Sequence, residues 1–259
     1  MTRSPWRITL SVWHALLLRE AVARMFGRRA AAVWLFLEPV AGIAFMLLIF
    51  TVLRTRFVGG MDTLLWLSSG LLAFYLFRRT ANQGASAVGA NLALYTYRQV
   101  KPVDTVLTRC VLEGVLMLVI ATLVFSVLAL VGVPLQLHDP LQVMVSLLGL
   151  WLLGVGWGLA VSVAIELVPE VGNLLNLLMM PLMLISGAIF PLSAIPYPWR
   201  EWLMWNPVAH GIEGVRAGIS PYYHHVPELN LNYLLGFALV LVFLGLVLQR
   251  RFRSRLVSL

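Results

Sequence analysis

Charge is scarce in this sequence. Only 12% of the 259 residues are Asp, Glu, Lys or Arg, while 60% are hydrophobic. A soluble domain of this size carries roughly 25% charge, so the composition points to a single polytopic membrane domain. Cysteine is scarcer still. With Cys110 alone no intrachain disulfide can form, and its apolar surroundings suit a packing role. Lysine also occurs once, at Lys101, and Val100 precedes it. A phosphate-binding loop needs a glycine immediately before its lysine. The chain therefore does not hold ATP in that way, and any ATP-derived energy has to come from another protein. There is no Gly-x-Ser-x-Gly elbow. Asp62, Asp104 and Asp139 stand apart, which removes the paired-aspartate signature of a metal-dependent sugar transferase. His224 and His225 are adjacent and would point to different sides of a helix, which argues against a metal site. Neither a metal nor a cofactor is expected on this chain.

The charge that is present is mostly arginine. There are 18 Arg and one Lys against 11 acidic residues, for a formal net charge of +8. These residues flank apolar runs instead of forming one stripe, so they describe membrane topology and not nucleic-acid binding. With the N-terminus in the cytoplasm, that side collects Arg3, Arg7, Arg19, Arg24, Arg28, Arg29, Arg78, Arg79, Arg98, Lys101, Arg109, Arg250, Arg251, Arg253 and Arg255. The outer side holds only Arg54, Arg56, Arg200 and Arg216. Both ends are therefore expected inside, with an even number of spans. Arg3 and Arg7 before the apolar run 8–18 could suggest a signal peptide. Arg19 and Glu20 interrupt that run and no clean cleavage site follows, so the N-terminus is read as retained.

The expected fold is all-α: an amphipathic interfacial helix over 1–29 and a six-helix transmembrane domain over 30–259. A span needs about 20 apolar residues. Spans are expected at about 30–53, from 63, at 113–133 and 141–165, from 171, and at 229–249. In the first helix Trp6, Leu10, Trp13 and Leu17 share one narrow apolar face, with Arg7, Ser11 and Arg19 pointing away. The first span carries Glu38 before Pro39, which removes a backbone bond. The second has 15 residues before Arg78 and Arg79, about 22 Å of helix, with no breaker after them. It is predicted to continue, with Tyr75, Arg78 or Arg79, and Asn82 on one face. Either the arginines snorkel to the inner headgroups or they form a basic ring in a pathway for an anionic substrate. In the fifth span Asn173, Asn176, Met180, Met183 and Gly187 form a seam, and Pro181 loosens the helix. That seam fits helix packing or an adaptable pathway wall, and one face can serve as both.

The stretch 181–220 stops behaving as one helix. Pro191, Pro196 and Pro198 crowd together, Trp199, Trp202 and Trp205 are expected on one side of a short helix, Pro207 ends that helix, and Glu213 and Arg216 sit three apart on the next one. This reads as two short re-entrant helices over 190–220 in the outer half of a bilayer, or as an outer loop with an interfacial aromatic anchor.

At SGAIFPLSAIP and WNPVAHGIEGVRAGI the chain resembles type-2 ABC exporter permeases, nearest the subunits that export capsular polysaccharide. The stretch LLLREAVARMFGRRAAAVWLFLEPV, with Arg19-Glu20 and Glu38-Pro39, is similar to the start of the same proteins, so the resemblance covers nearly the whole chain. It implies paired re-entrant helices at the outer mouth and an N-terminal helix lining the gate through which substrate enters. It also implies a cytoplasmic coupling helix over 95–109, where Tyr97, Arg98, Lys101 and Asp104 would meet an ATPase and Glu166 and Glu170 would face the same partner. Without the resemblance, 95–109 is a basic cytoplasmic loop in which Pro102-Val-Asp104 resembles a helix start with an acidic first turn. The implied assembly is a homodimer with two ATP-binding subunits, ATP and magnesium being held by those partners. It would export a lipid-linked polysaccharide through the inner membrane of a Gram-negative cell, with periplasmic and outer-membrane export proteins beyond it. Candidate pathway residues are Arg24, Arg28, Arg29, Trp34, Glu38, Tyr75, Arg78, Arg79, Asn82, Asn173, Asn176, Met180, Met183 and Trp205. Rival readings are an O-antigen or teichoic-acid exporter, an intramembrane transferase and a membrane scaffold. A transferase would need convergent His, Ser or Asp groups at one depth, and none stands out.

Overall fold

The computed structural model describes residues 5–26, 31–52, 57–97 and 99–257. They are mostly helical: α1 (Pro5–Phe26), α2 (Ala31–Val52), α3 (Thr63–Ala85), α4 (Pro102–Leu130), α5 (Pro140–Leu167), α6 (Glu170–Ile185), α7 (Trp199–Leu203), α8 (Pro207–Ile219), α9 (Leu231–Arg251) and α10 (Arg253–Val257). Short 3₁₀ runs lie at Gly89–Thr96 and Leu192–Ala194. A hairpin of β1 (Phe57–Val58) and β2 (Met61–Asp62) precedes α3. Its turn is Gly59-Gly60, both at positive φ, where only glycine is unstrained.

Among the described residues α4, α5 and α9 are each long and apolar enough to cross a membrane; α6 and the segment Pro39–Phe50 of α2 are shorter apolar helices. α3 is the hub. Asp62 caps it by accepting from the amides of Leu64 and Leu65. Trp66, Leu67, Leu71, Phe74 and Phe77 are buried, and α2, α4, α5, α6 and α8 all touch the helix. As expected, it runs on past Arg78 and Arg79, to Ala85.

In hydrocarbon no hydrophobic drive pulls helices together, so close van der Waals approach has to hold them. α5 supplies it with small residues on two sides. A methyl group at Gly158 would stand 2.9 Å from Gly84 Cα of α3, and one at Gly156 would stand 2.7 Å from the Val242 amide of α9. α9 answers with Gly245, which faces the Ala160 amide. A buried polar tie completes the α5–α9 pair: Gln249 Nε2 donates to Ser162 Oγ at 2.7 Å and to the Leu159 carbonyl.

Two expectations shift. α4 starts at Pro102, about three turns before the expected 113, because Pro102 sits at its first position and Asp104 Oδ2 accepts from the Lys101 amide. The expected span therefore has an N-terminal extension, and Glu113 lies inside the helix instead of at its start. α1 also turns a different face inward. Trp13, Leu16, Leu17, Glu20 and Arg24 face the body and Leu10 is exposed, while the Trp6 side chain lies outside the described residues. The face mixes apolar and charged residues because α1 docks on polar partners on α3, α4 and the Gly89–Thr96 run.

Gly156→Ala is expected to lower the thermal unfolding midpoint of the detergent-purified protein, since overpacking costs about 1–3 kcal/mol. Gly236→Ala, whose new methyl group meets nothing within 4 Å, should leave the midpoint unchanged or raise it. Equal midpoints for the two variants would contradict the close α5–α9 packing.

Candidate functional site

At one end of α3 the two adjacent arginines part company. Arg78 lies over the Tyr75 ring, 4.8 Å from its centre, and the Tyr75 hydroxyl packs against Gly42 of α2. Arg79 turns to α4, where its Nε donates to Glu113 Oε2 at 3.0 Å. The other Glu113 oxygen is paired with Arg24 of α1. Arg24 also donates to Gln83 Oε1 at 2.9 Å and to Glu20 Oε1 at 3.1 Å, and Glu20 pairs with Arg109 at 2.8 Å. Glu113 has no exposed surface. A buried carboxylate costs several kcal/mol to desolvate unless it is paired, and this one has two guanidinium partners. It thereby joins α1, α3 and α4 at one point. Asn82 is half-buried one turn further on.

Beside this cluster lies the stretch expected to couple to an ATPase. It is divided among the end of the Gly89–Thr96 run, a turn, and the first turns of α4. Tyr97 and Lys101 are exposed, and Asp104 is half-buried and accepts from Trp13 Nε1 at 3.0 Å. The Arg19 guanidinium donates to Asn91 Oδ1 at 2.9 Å. Burial pushes the Tyr95 hydroxyl up to about 12, and it is hydrogen-bonded to Thr105 Oγ1 at 2.8 Å. Arg28, Arg29 and Arg98 lie outside the described residues, as does the Glu38 side chain.

The α6 seam faces outward over most of its length: Asn173, Asn176 and Met180 are exposed, whereas Met183 is half-buried against the core. Trp34 of α2 is exposed as well. Trp199, Trp202 and Trp205 all present open surface at the far end of the molecule, Trp205 at 74%.

Behind those tryptophans is a second buried ionic group. Asn206 caps α8, its Oδ1 accepting from the Val208 amide and its Nδ2 donating to Ser186 Oγ at 2.7 Å, with Pro207 at the first helical position. α8 then buries Glu213 and Arg216 completely. Arg216 donates to the carbonyls of Gly187 (2.8 Å), Ala188 (3.0 Å) and Trp66 (3.2 Å), lies 3.5 Å from Glu213 Oε1, and covers the Trp66 ring at 3.8 Å. Glu213 accepts from the Tyr223 hydroxyl at 2.8 Å. Burial pushes that hydroxyl above its usual range, so it stays a donor. Gly70 leaves the space that the guanidinium fills.

This arrangement has ionic anchors at both ends, an exposed polar and methionine-bearing helix between them, and no cluster of His, Cys, Asp and Glu able to hold a metal among the described residues. Residues 11–220 match the family model described as ABC-2 type transporter. The chain belongs to the ABC-2 type transporter family. Over 251 residues, 96% of both chains, this ABC-2 permease is 34% identical to the polysialic acid transport protein KpsM of Escherichia coli. It is 29% identical over 245 residues to the capsule polysaccharide export inner-membrane protein CtrC of Neisseria meningitidis, covering 92% of this chain and 89% of the relative. With the corresponding BexB of Haemophilus influenzae it shares 26% identity over 243 residues, 93% of this chain and 91% of the relative.

Sequence reasoning had treated Glu113 only as the edge of a span, and had noted Glu213 and Arg216 three apart on one short helix without expecting either to be buried. The signal for the first was a carboxylate inside a long apolar run with arginines on two other helices. For the second it was Glu213 and Arg216 three apart in a segment otherwise apolar or glycine-rich, which places both on the side of α8 turned toward its neighbours.

Glu113→Leu is expected to remove the buried carboxylate that Arg24 and Arg79 share. Breaking such a pair costs about 3–5 kcal/mol. Hydrogen exchange should rise across α1 in this ABC-2 permease, and the unfolding midpoint should fall. Unchanged protection of Pro5–Phe26 would show that Glu113 does not hold α1.

Proposed function

We propose that this permease is the membrane subunit of an ATP-driven exporter that carries lipid-linked capsular polysaccharide across the bacterial inner membrane. The observation that carries the reading is its end-to-end similarity, at 34% identity, to a polysialic acid transport protein. The capsule-export relatives named as inner-membrane proteins support it. In this reading α2, α3, α4, α5, α6 and α9 are the six spans, α7 and α8 re-enter from the outside, and both termini are cytoplasmic. The 15 to 4 distribution of basic residues supports that orientation.

One six-helix chain is too small to enclose a wide polymer path, so two copies pair. The exposed faces of α2 and α6, with Trp34, Asn173, Asn176 and Met180, then line the space between them. Aromatic rings such as Trp34, Tyr75 and Trp205 stack on sugar faces, and Arg78 attracts acidic groups at the inner end. Two ATP-binding subunits dock at the cytoplasmic stretch containing Tyr97, Arg98, Lys101 and Asp104. ATP binding presses on that stretch and separates α2 from α6. Periplasmic and outer-membrane export proteins receive the polymer.

Deleting the gene should abolish surface capsule and leave polymer inside the cell, and the wild-type chain supplied in trans should restore it. Surface polymer at normal amount in the deletion strain would refute the reading. The double variant Arg78→Gln, Arg79→Gln should lower export at least about tenfold while still copurifying with the ATPase. Normal export by it would show that neither arginine acts in the pathway.

A further inference from the structure

The Gly89–Thr96 run is poorly able to hold its own shape. A 3₁₀ geometry makes weak hydrogen bonds, and Asn91 departs from helical angles within the run, at φ −123°. Its support comes from outside. Arg19 of α1 bonds Asn91, and Thr105 of α4 bonds Tyr95. The third support is α10. This short helix follows α9 directly, the Phe252 amide still donating to the Leu248 carbonyl and the Leu256 amide to the Phe252 carbonyl. α10 touches the 3₁₀ run, α4 and α9. Leu256 is fully buried, in an apolar cluster with Ala87, Val88, Tyr95 and Val106, whereas Arg253, Ser254 and Arg255 beside it are exposed. Leu256, fully buried where Leu248 and Phe252 pack only in part on the same cluster, thus ties the end of the last long helix to the base of the run.

We infer that Leu256 is a positioning residue for the ATPase-docking stretch: by seating α10 under Gly89–Thr96 it fixes where Tyr97 and Lys101 are presented, and it passes displacement of that stretch to α9. The inference rests on the proposal that an ATP-binding subunit docks there. Because α9 is locked to α5 through Gly156 and Gly245, a push at the docking stretch reaches both helices through this contact.

The test measures binding of the purified ATP-binding subunit of the same transporter to the permease in lipid nanodiscs, with hydrogen exchange on the same samples. Leu256→Asp puts a carboxylate into an apolar cluster and Leu256→Ala empties it. Both should raise Kd, the first by about tenfold, and should speed exchange over 89–101 while α5 and α9 stay protected. Leu256→Met conserves volume and should bind within about twofold of the wild type. Wild-type Kd and wild-type exchange in both Leu256→Asp and Leu256→Ala would overturn the inference. So would loss of protection throughout α9, which would mean a general loosening. If Leu256→Asp does not fold, Leu256→Ala carries the same two readouts. If the wild-type permease shows no saturable binding, the docking proposal fails. Local exchange over 89–101 then still decides whether Leu256 holds the stretch.

Discussion

A guanidinium without exposed surface, closed in by three backbone carbonyls, an indole face and a carboxylate, organises one end of this protein. Between α6 and α8 the chain is irregular, and its buried backbone polar groups need partners from within the protein. Arg216 supplies the donors. Its planar fork reaches the Gly187 and Ala188 carbonyls just past the end of α6 and the Trp66 carbonyl on α3, a geometry that an ammonium group could not match. Glu213 balances the charge and is itself held by Tyr223. Four separate parts of the chain converge on one ion pair, so neither α8 nor the turn before it has an independent position.

The other end is built on the mirrored arrangement, one carboxylate between two arginines. Glu113 neutralises Arg79 and Arg24, so the arginine that reads as a pathway charge is tied into the protein, while its neighbour Arg78 leans on Tyr75. Both ends pay for a buried ion with several partners, which is what makes such groups specify position even where they add little net stability. α1, with a mixed polar and apolar inner face, is held by this cluster and by Asp104 and Asn91.

Much of the architecture was legible in residues. The continuation of α3 past its arginines followed from the lack of a breaker, and the break between two short helices from Pro207, although this proline opens α8 instead of ending α7. The three-residue spacing put three tryptophans on one short helix, but α7 ends at Leu203 and Trp205 lies past it. The two-residue glycine hairpin before α3 was a readable signal that the long apolar runs on either side obscured. The helix start at Pro102, with Asp104 in its first turn, was legible; that this helix runs unbroken into the span expected from 113 was not, because hydropathy marks only where a helix becomes apolar. The inward face of α1 was misassigned because helical periodicity of apolar residues cannot register that Glu20 and Arg24 have partners 60 to 90 positions away. Most of the ion pairs were hidden for the same reason, since pairing is a property of tertiary neighbours; of the two with a local spacing, Glu20–Arg24 and Glu213–Arg216, only the second was noticed.

The glycines of α5 have a mechanical corollary. Where backbone meets backbone there is no side-chain layer to shear, so α5 slides against neither α3 nor α9. Those three helices, with α8 clamped to them by Arg216, form one unit that can only be displaced together. α2 and α6 touch that unit more sparingly and are the elements it constrains least.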